Sequence, residues 1–148
     1  MLVQEILYTK GSAICAVPRD ASMGEIVRTL ADEHIGTVLV TEQDDSLAGI
    51  ISERDVIKQL ALRGSAVLKL CAEEVMAQDV VTCSTTTASE NALELMRAHT
   101  IRHLPVIDDG VPVGIISTRD LLEAQRKYFE QDIEMWQRVG NAIELPFE

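Results

Sequence analysis

Two serine–aspartate pairs stand at the same spacing in the chain, Ser52 with Asp55 and Ser117 with Asp120. Each pair follows a short apolar run rich in branched residues, which predicts that a strand ends and a helix begins at the serine. The free backbone N–H groups and the dipole of a helix start favour a bound anion such as a phosphate. The hydroxyl can donate to a phosphate or ribose oxygen, and the carboxylate offers two acceptor oxygens to adjacent ribose hydroxyls. The same residues also fit a helix-capping pattern, so capping and sugar-phosphate binding remain alternatives.

These pairs belong to an internal repeat. The heptapeptide Gly49–Asp55 returns 65 positions later as Gly114–Asp120, with six of the seven residues identical. Further upstream, Ile35–Val40 matches Ile101–Val106 at an offset of 66 positions. Because both matches occur in the same order, we expect two structural units of the same fold.

Each copy predicts the same series of elements. A short strand, at 13–17 in the first copy and 80–83 in the second, precedes an amphipathic helix. Both helices follow a capping-box pattern, Ser22–Glu25 and Thr87–Glu90. Two strands joined by a tight acidic turn and a second helix complete a β-α-β-β-α unit.

The predicted fold class is therefore α/β (α+β), with two β-α-β-β-α repeats and a final helix. We expect the first repeat at 10–64, a linker and the second repeat at 65–125, and a helical extension at 126–148. The last helix could run from 118 to 139 with an apolar stripe along one side. That stripe would either pack on its own repeat or form a self-association surface.

Four basic side chains accompany the two pairs: Arg54, Arg119, Arg102 and His103. The two arginines beside the aspartates would either neutralise phosphate charge by charge-assisted hydrogen bonds or lie solvated on the surface. Arg102 and His103 are neighbours on a predicted strand, so they point to opposite faces. The first repeat has Gly36 and Thr37 at these two positions. The two candidate sites are therefore not equivalent.

The acidic composition restricts the classes of partner. Thirteen basic and twenty-four acidic residues give a net charge of −11 over 148 residues, which opposes binding to nucleic acid or to an anionic membrane surface. The three cysteines have no C-x-x-C spacing, which favours buried free thiols in a reducing compartment. The chain shows no long apolar run and no basic-then-apolar leader. We expect a cytoplasmic protein.

Motifs of common catalytic sites are absent from the sequence. It contains no G-x-S-x-G, H-E-x-x-H, Walker A or G-x-G-x-x-G pattern, so we expect no enzyme and no catalytic cofactor. His99 and His103 are four residues apart, a spacing that could hold a metal on a helix. The predicted helix ends near His99, so we expect no metal site.

Two tandem copies that each end in Gly-Ile-Ile-Ser-x-Arg-Asp resemble the CBS domain pair, or Bateman module, of the stand-alone bacterial type. The segments Glu74–Met76, Val80–Thr82 and Arg102–Val106 are similar to that family too. The resemblance covers about residues 10 to 125. It implies that the repeats pack through their sheets about a pseudo-two-fold axis, and that modules pair into flat homodimers. It also implies two clefts that bind AMP, ADP, ATP, NAD(H) or S-adenosylmethionine.

The resemblance also implies roles for individual residues. The Ser-x-x-Asp pairs would hold ribose and phosphate, and a basic residue on the strand of Arg102 would reach the phosphates. Thr87 would contact ribose or phosphate from the opposite repeat, although a helix cap is its alternative role. The expected surroundings of the adenine are the side chains of Ile51 and Ile116 and the backbone near Ala16 and Thr82. Both isoleucines would equally suit the core.

The sequence thus predicts a regulatory module that binds adenosine nucleotides and signals energy or redox state to a partner protein. The alternative is a structural homodimerisation module with vestigial clefts. A third interpretation keeps the clefts and exchanges the nucleotide for S-adenosylmethionine, whose sulfonium would not suit Arg119. The arginines therefore favour a phosphate-bearing ligand.

Overall fold

The computed structural model describes residues 1–142 and contains two three-stranded sheets with helices packed on them. In both sheets the first strand is parallel to the second and the second is antiparallel to the third. In chain order the helices are α1 (Val3–Lys10), α2 (Met23–Asp32), α3 (Glu53–Arg63), α4 (Ala72–Val75), α5 (Ser89–Ala98) and α6 (Thr118–Ala142), and the strands are β1 (Ala16–Pro18), β2 (Thr37–Thr41), β3 (Leu47–Ser52), β4 (Cys83–Ser84), β5 (His103–Asp108) and β6 (Val111–Ser117). A 3-10 helix, Gly64–Lys69, leads from α3 towards α4.

The predicted β-α-β-β-α order is confirmed in both repeats, with shifts at the element ends. Strands β1 and β4 begin later than expected, because only Ala16–Pro18 and Cys83–Ser84 pair with the neighbouring strand. Helix α6 continues to Ala142, past the predicted end at 139. The rest of the predicted extension, 143–148, lies outside the described residues.

Of the two predicted capping boxes, the first forms only through its serine and the second is wrong. Ser22 caps α2 as expected, since its Oγ accepts a hydrogen bond from the Glu25 N–H at 3.2 Å. Helix α5, however, begins at Ser89 with Ala88 as its cap residue, and the Thr87 hydroxyl instead accepts from the Ser84 N–H at 3.0 Å. Ala88 stands 66 positions after Ser22, so the repeat places a residue without a side-chain acceptor at the second cap.

Helix α1 was not predicted, and it packs on the second repeat. Val3, Ile6 and Leu7 are buried in the core formed by β5, β6 and α5. A methyl group added to Gly114 on β6 would lie 2.6 Å from Leu7, so the helix rests directly on the strand. The Val3 N–H also donates to the carbonyl of Thr87 at 2.9 Å.

The chain between the repeats covers the first repeat in the same way. The Ala72 N–H donates to the Ala21 carbonyl at 2.8 Å, and the Glu73 N–H donates to the Arg19 carbonyl at 3.0 Å. A methyl group added to Gly49 would lie 2.6 Å from Met76. Residues 1–10 and 70–79 are therefore equivalent at an offset of 69, and we call them the first and second cover segments. The first cover segment packs on the second repeat, and the second cover segment packs on the first repeat.

The two repeats have separate apolar cores. The first core lies between α2, β2, β3 and the second cover segment, and the second lies between α5, β5, β6 and the first cover segment. Cys83 is buried in the second core, whereas Cys15 and Cys71 are half-exposed, which departs from the expectation of three buried thiols. Within residues 1–142, no helix combines the length and the apolar character needed to cross a bilayer.

Candidate functional site

The first Ser-x-x-Asp pair forms a complete capping box where β3 turns into α3. The Ser52 N–H and hydroxyl both donate to Oδ2 of Asp55 at 2.9 Å, and the Asp55 N–H donates to the Ser52 hydroxyl at 3.2 Å. Both side chains are half-buried. Within residues 1–142, Oδ1 of Asp55 accepts no hydrogen bond, and no basic side chain lies within 4.0 Å of this carboxylate. The pair therefore caps the helix and still leaves one carboxylate oxygen available.

The second pair has a cationic partner that the sequence reasoning missed. The Ser117 N–H donates to Oδ2 of Asp120 at 2.8 Å, and the Asp120 N–H donates to the Ser117 hydroxyl at 3.1 Å. The ammonium of Lys10 contacts the same Oδ2 at 2.5 Å and donates to the carbonyl of Ile115 at 2.7 Å. Lys10 was missed because it stands 110 positions from Asp120 and aligns with Asp79 in the other cover segment, so no pattern in the sequence indicates the contact.

The charge of Asp120 follows from these contacts. Burial raises the pKa of its carboxyl, but the hydrogen bonds and charge of Lys10 and the hydrogen bonds from Ser117 hold the pKa below its usual value of 3.8. The group is therefore ionised at neutral pH. A half-buried carboxylate with a fixed ammonium beside it can accept a hydrogen bond from a sugar hydroxyl while the ammonium donates to an anion.

The first turns of α3 and α6 have fewer unbonded backbone N–H groups for an anion than the sequence predicted. The N–H of Glu53 donates to the carbonyl of Gly36 at 3.0 Å, and the N–H of Thr118 donates to the carbonyl of Arg102 at 3.0 Å. The aspartate N–H groups are taken by the serine hydroxyls. Of the first three donors of α3 and α6, only those of Arg54 and Arg119 remain without a partner among the described residues.

The two repeats meet at His103. A methyl group added to Gly36 of the first repeat would lie 3.1 Å from the His103 imidazole of the second. Burial and the nearby charge of Lys10 lower the pKa of His103, against an opposing effect of Asp120 and Glu53. The imidazole is therefore neutral at pH 7, and it serves as a polar contact between the repeats rather than a fixed cation.

The other predicted site residues divide into exposed and buried groups. Arg54, Arg102 and Arg119 are exposed and form no salt bridge within the described part of the chain, so they are free to meet a ligand. Thr82 and Thr87 are half-buried and Ala16 is exposed. The side chains of Ile51 and Ile116 are fully buried in the two cores, which favours the alternative core role over contact with an adenine.

Two cavities on the described surface include predicted site residues in their walls. A groove of about 240 Å³ between α1 and α6 includes both Lys10 and Asp120 in its walls. A larger open hollow of about 750 Å³ includes Ala16 but otherwise follows the acidic turn of the first repeat. We assign the candidate site to the smaller groove and the adjoining junction of the repeats, because the larger hollow contains neither Ser-x-x-Asp pair. Asp55 lines neither cavity.

Comparison with solved structures places this architecture among known proteins. The CBS-domain containing protein ATU1752 from Agrobacterium tumefaciens is 35% identical, with a TM-score of 0.80 over 84% of this chain and 99% of that chain. The CBS domain protein PAE2072 from Pyrobaculum aerophilum, solved in complex with AMP, is 28% identical, with a TM-score of 0.73 over 81% and 89%. The fold predicted from the repeat is therefore confirmed.

Sequence comparison agrees with the structural one. The uncharacterised protein MK0525 from Methanopyrus kandleri is 31% identical over 102 residues, 68% of this chain and 52% of that protein. An inosine-5'-monophosphate dehydrogenase from Methanocaldococcus jannaschii is 35% identical over 116 residues, 78% of this chain and 22% of the dehydrogenase. The chain thus spans about half of the first relative and about a fifth of the second. Because the family model of the CBS domain matches residues 11–62 and 72–127, the chain belongs to the CBS domain family as a tandem pair.

Proposed function

We propose that this CBS domain pair is a regulatory module that binds an adenosine nucleotide, AMP, ADP, ATP or NAD(H), at the junctions between its repeats. The observation that carries the proposal is the pair of half-buried aspartates, Asp55 and Asp120, each of which keeps Oδ1 free of hydrogen bonds within residues 1–142. A carboxylate oxygen held this way can accept from a ribose hydroxyl without giving up the helix cap. The AMP complex of the Pyrobaculum aerophilum protein supports the adenosine class of ligand.

The proposed output is an altered contact with a partner protein rather than a reaction. Occupancy would signal energy or redox state if the ligand prefers one packing of the repeats by about 1 to 3 kcal/mol. A sensor must also release its ligand, which corresponds to a Kd between about micromolar and millimolar. The net charge of −11 favours a protein partner in the cytoplasm over nucleic acid or a membrane surface.

Calorimetric titration tests this proposal. AMP, ADP, ATP, NAD(H) and S-adenosylmethionine are titrated into the native protein, Asp55→Ala and Asp120→Ala. We expect at least one nucleotide to bind, and one or both variants to weaken it about tenfold or more, since each removes a charge-assisted hydrogen bond. Asp132→Ala is the matched control, because Asp132 lies on α6 about 18 Å beyond Asp120, at 1.5 Å per residue.

Two results would count against the proposal. Absence of heat with every ligand would end the nucleotide hypothesis for this chain. Binding that persists unchanged in both aspartate variants would show that the ribose lies elsewhere.

A second candidate function, a homodimerisation module, is favoured by the exposed apolar side of α6. Its large side chains recur at helical spacing and remain 55–67% exposed: Leu122, Phe129, Ile133 and Trp136. Exposed apolar side chains along one side of a helix suit a second copy of the chain. We propose that the module pairs through α6.

Deleting residues 132–148, which keeps the walls of the groove beside Asp120 and removes Ile133 and Trp136, separates the two functions. If the module is regulatory, sedimentation analysis will show monomers while calorimetry still shows nucleotide binding. If the module is only structural, the assembly is lost and no nucleotide binds to either form of the protein.

A further inference from the structure

We propose that Lys10 makes the cleft of Asp120 select a phosphate-bearing adenosine over adenosine itself, and that the site of Asp55, which has no such lysine, lacks this preference. This inference rests on the proposed function and adds the charge class of the ligand at each cleft. It begins from the contact of the Lys10 ammonium with Asp120 and with the Ile115 carbonyl.

The position of Lys10 is fixed by the fold. Lys10 is in the last turn of α1, whose apolar residues Val3, Ile6 and Leu7 are buried in the second core. Backbone hydrogen bonds hold the start of the same cover segment on the second repeat, including one of 2.9 Å from the Ser89 N–H to the carbonyl of Met1. The ammonium is therefore a built part of the second cleft rather than a mobile surface charge.

The ammonium retains capacity for a ligand. A lysine ammonium has three N–H donors, and the contacts with Asp120 and Ile115 use two of them. The third can donate to a phosphate oxygen while the salt bridge stays intact. A ligand whose ribose contacts Asp120 thus meets positive charge close to the carboxylate.

The first cleft lacks this charge. Ile50 is the equivalent of Ile115, but its carbonyl accepts from the backbone N–H of Ala77 at 3.0 Å instead of from a side chain. In the alignment of the cover segments, Asp79 stands where Lys10 does. Gly36 likewise stands where Arg102 does. A phosphate at the first cleft would therefore meet the acidic background of the chain without a lysine fixed beside the carboxylate.

AMP and adenosine are the probes, because they differ only in the phosphate. Each is titrated into Asp55→Ala, which keeps the second cleft, and into the same variant with Lys10→Met. We expect Lys10→Met to weaken AMP about ten- to a hundredfold, the range of one charge-assisted hydrogen bond, and to change adenosine less than about threefold. Lys10→Arg, which keeps the charge, should restore most of the AMP affinity. Lys58→Met, which removes an exposed charge on α3, is the matched control.

The outcomes separate this inference from the proposed function. Equal weakening of AMP and adenosine by Lys10→Met would overturn the inference, because Lys10 would then only position Asp120. Equal preference for AMP in Asp120→Ala, which keeps only the first cleft, would also overturn it. If neither probe binds the native protein, the inference fails, whereas the proposed function fails only if ADP, ATP and NAD(H) are silent too. Thermal unfolding of each variant verifies that it is folded before its titration is interpreted.

Discussion

Gly49 and Gly114 are equivalent strand positions, and the cover segments give them different tolerances for a methyl group. At Gly114 the three atoms nearest to the added carbon would all belong to the side chain of Leu7, at 2.6 Å, 3.0 Å and 3.4 Å. At Gly49 it would meet the Met76 side chain at 2.6 Å and the backbone carbonyl of Ala77 at 2.8 Å. A leucine side chain can rotate away, whereas a backbone carbonyl moves only with its segment.

The magnitude follows from these contacts. Overpacking a core by one methyl group typically costs about 1–3 kcal/mol. Gly49→Ala would also strain the two backbone hydrogen bonds between Ile50 and Ala77, at 3.0 and 3.1 Å, each with a net contribution of about 1 kcal/mol. We expect Gly49→Ala to lower the free energy of unfolding by about 3 kcal/mol and Gly114→Ala by about 1 kcal/mol. For a chain of this size the difference corresponds to a Tm gap of about 4–8 °C.

Urea unfolding followed by circular dichroism, together with calorimetric Tm values, measures the two effects. Gly140→Ala is the control, because nothing lies within 4 Å of its added carbon and α6 continues through the position. That change should stabilise the chain by about 0.5–1 kcal/mol through helix propensity. If Gly114→Ala lowers the free energy of unfolding as much as Gly49→Ala does, or if neither variant is destabilised, the packing of the cover segments against these glycines is refuted.

Three further predictions concern single side chains. Ser52→Ala should lower the free energy of unfolding by about 1 kcal/mol, measured by urea titration, because it removes the cap of α3. Asp120→Asn should destabilise the protein at neutral pH, and the difference should vanish in unfolding measurements as the pH falls below 3.8 through the lower folded pKa, because Asp120 is stabilising only when ionised. In the native protein a thiol reagent should modify Cys15 and Cys71 well before Cys83, whose burial raises its pKa to about 11.

The repeat could be recognised in the sequence because its most similar part also has the strictest structural requirements. Gly49 and Gly114 must admit a cover segment, and Ser52 and Ser117 must cap a helix, so the same residue types occur twice. These local requirements are expressed at adjacent positions, where a short identical stretch reveals them. The strand-to-helix turns and the order of the elements were predicted for that reason.

The cover segments could not be recognised from sequence similarity. They share only the identity of Glu5 with Glu74, since packing requires an apolar side chain of suitable size rather than one residue type. Their partners are also distant in sequence, so no local pattern indicates them. The same limit applies to the second cleft, because the contact of Lys10 with Asp120 joins residues 110 positions apart.

The order of the elements along the chain therefore differs from the order in which they can pack. Helix α1 precedes both repeats, yet the strand that receives it, β6, is complete only at Ser117, which is 107 positions beyond Lys10. At a synthesis rate of roughly 5–20 residues per second, the apolar side of α1 would remain without a partner surface for about 5–20 seconds. The first repeat meets its own cover segment much sooner. On the ribosome we expect the first repeat to close early, while α1 stays a potential binding site for a chaperone until the second repeat emerges.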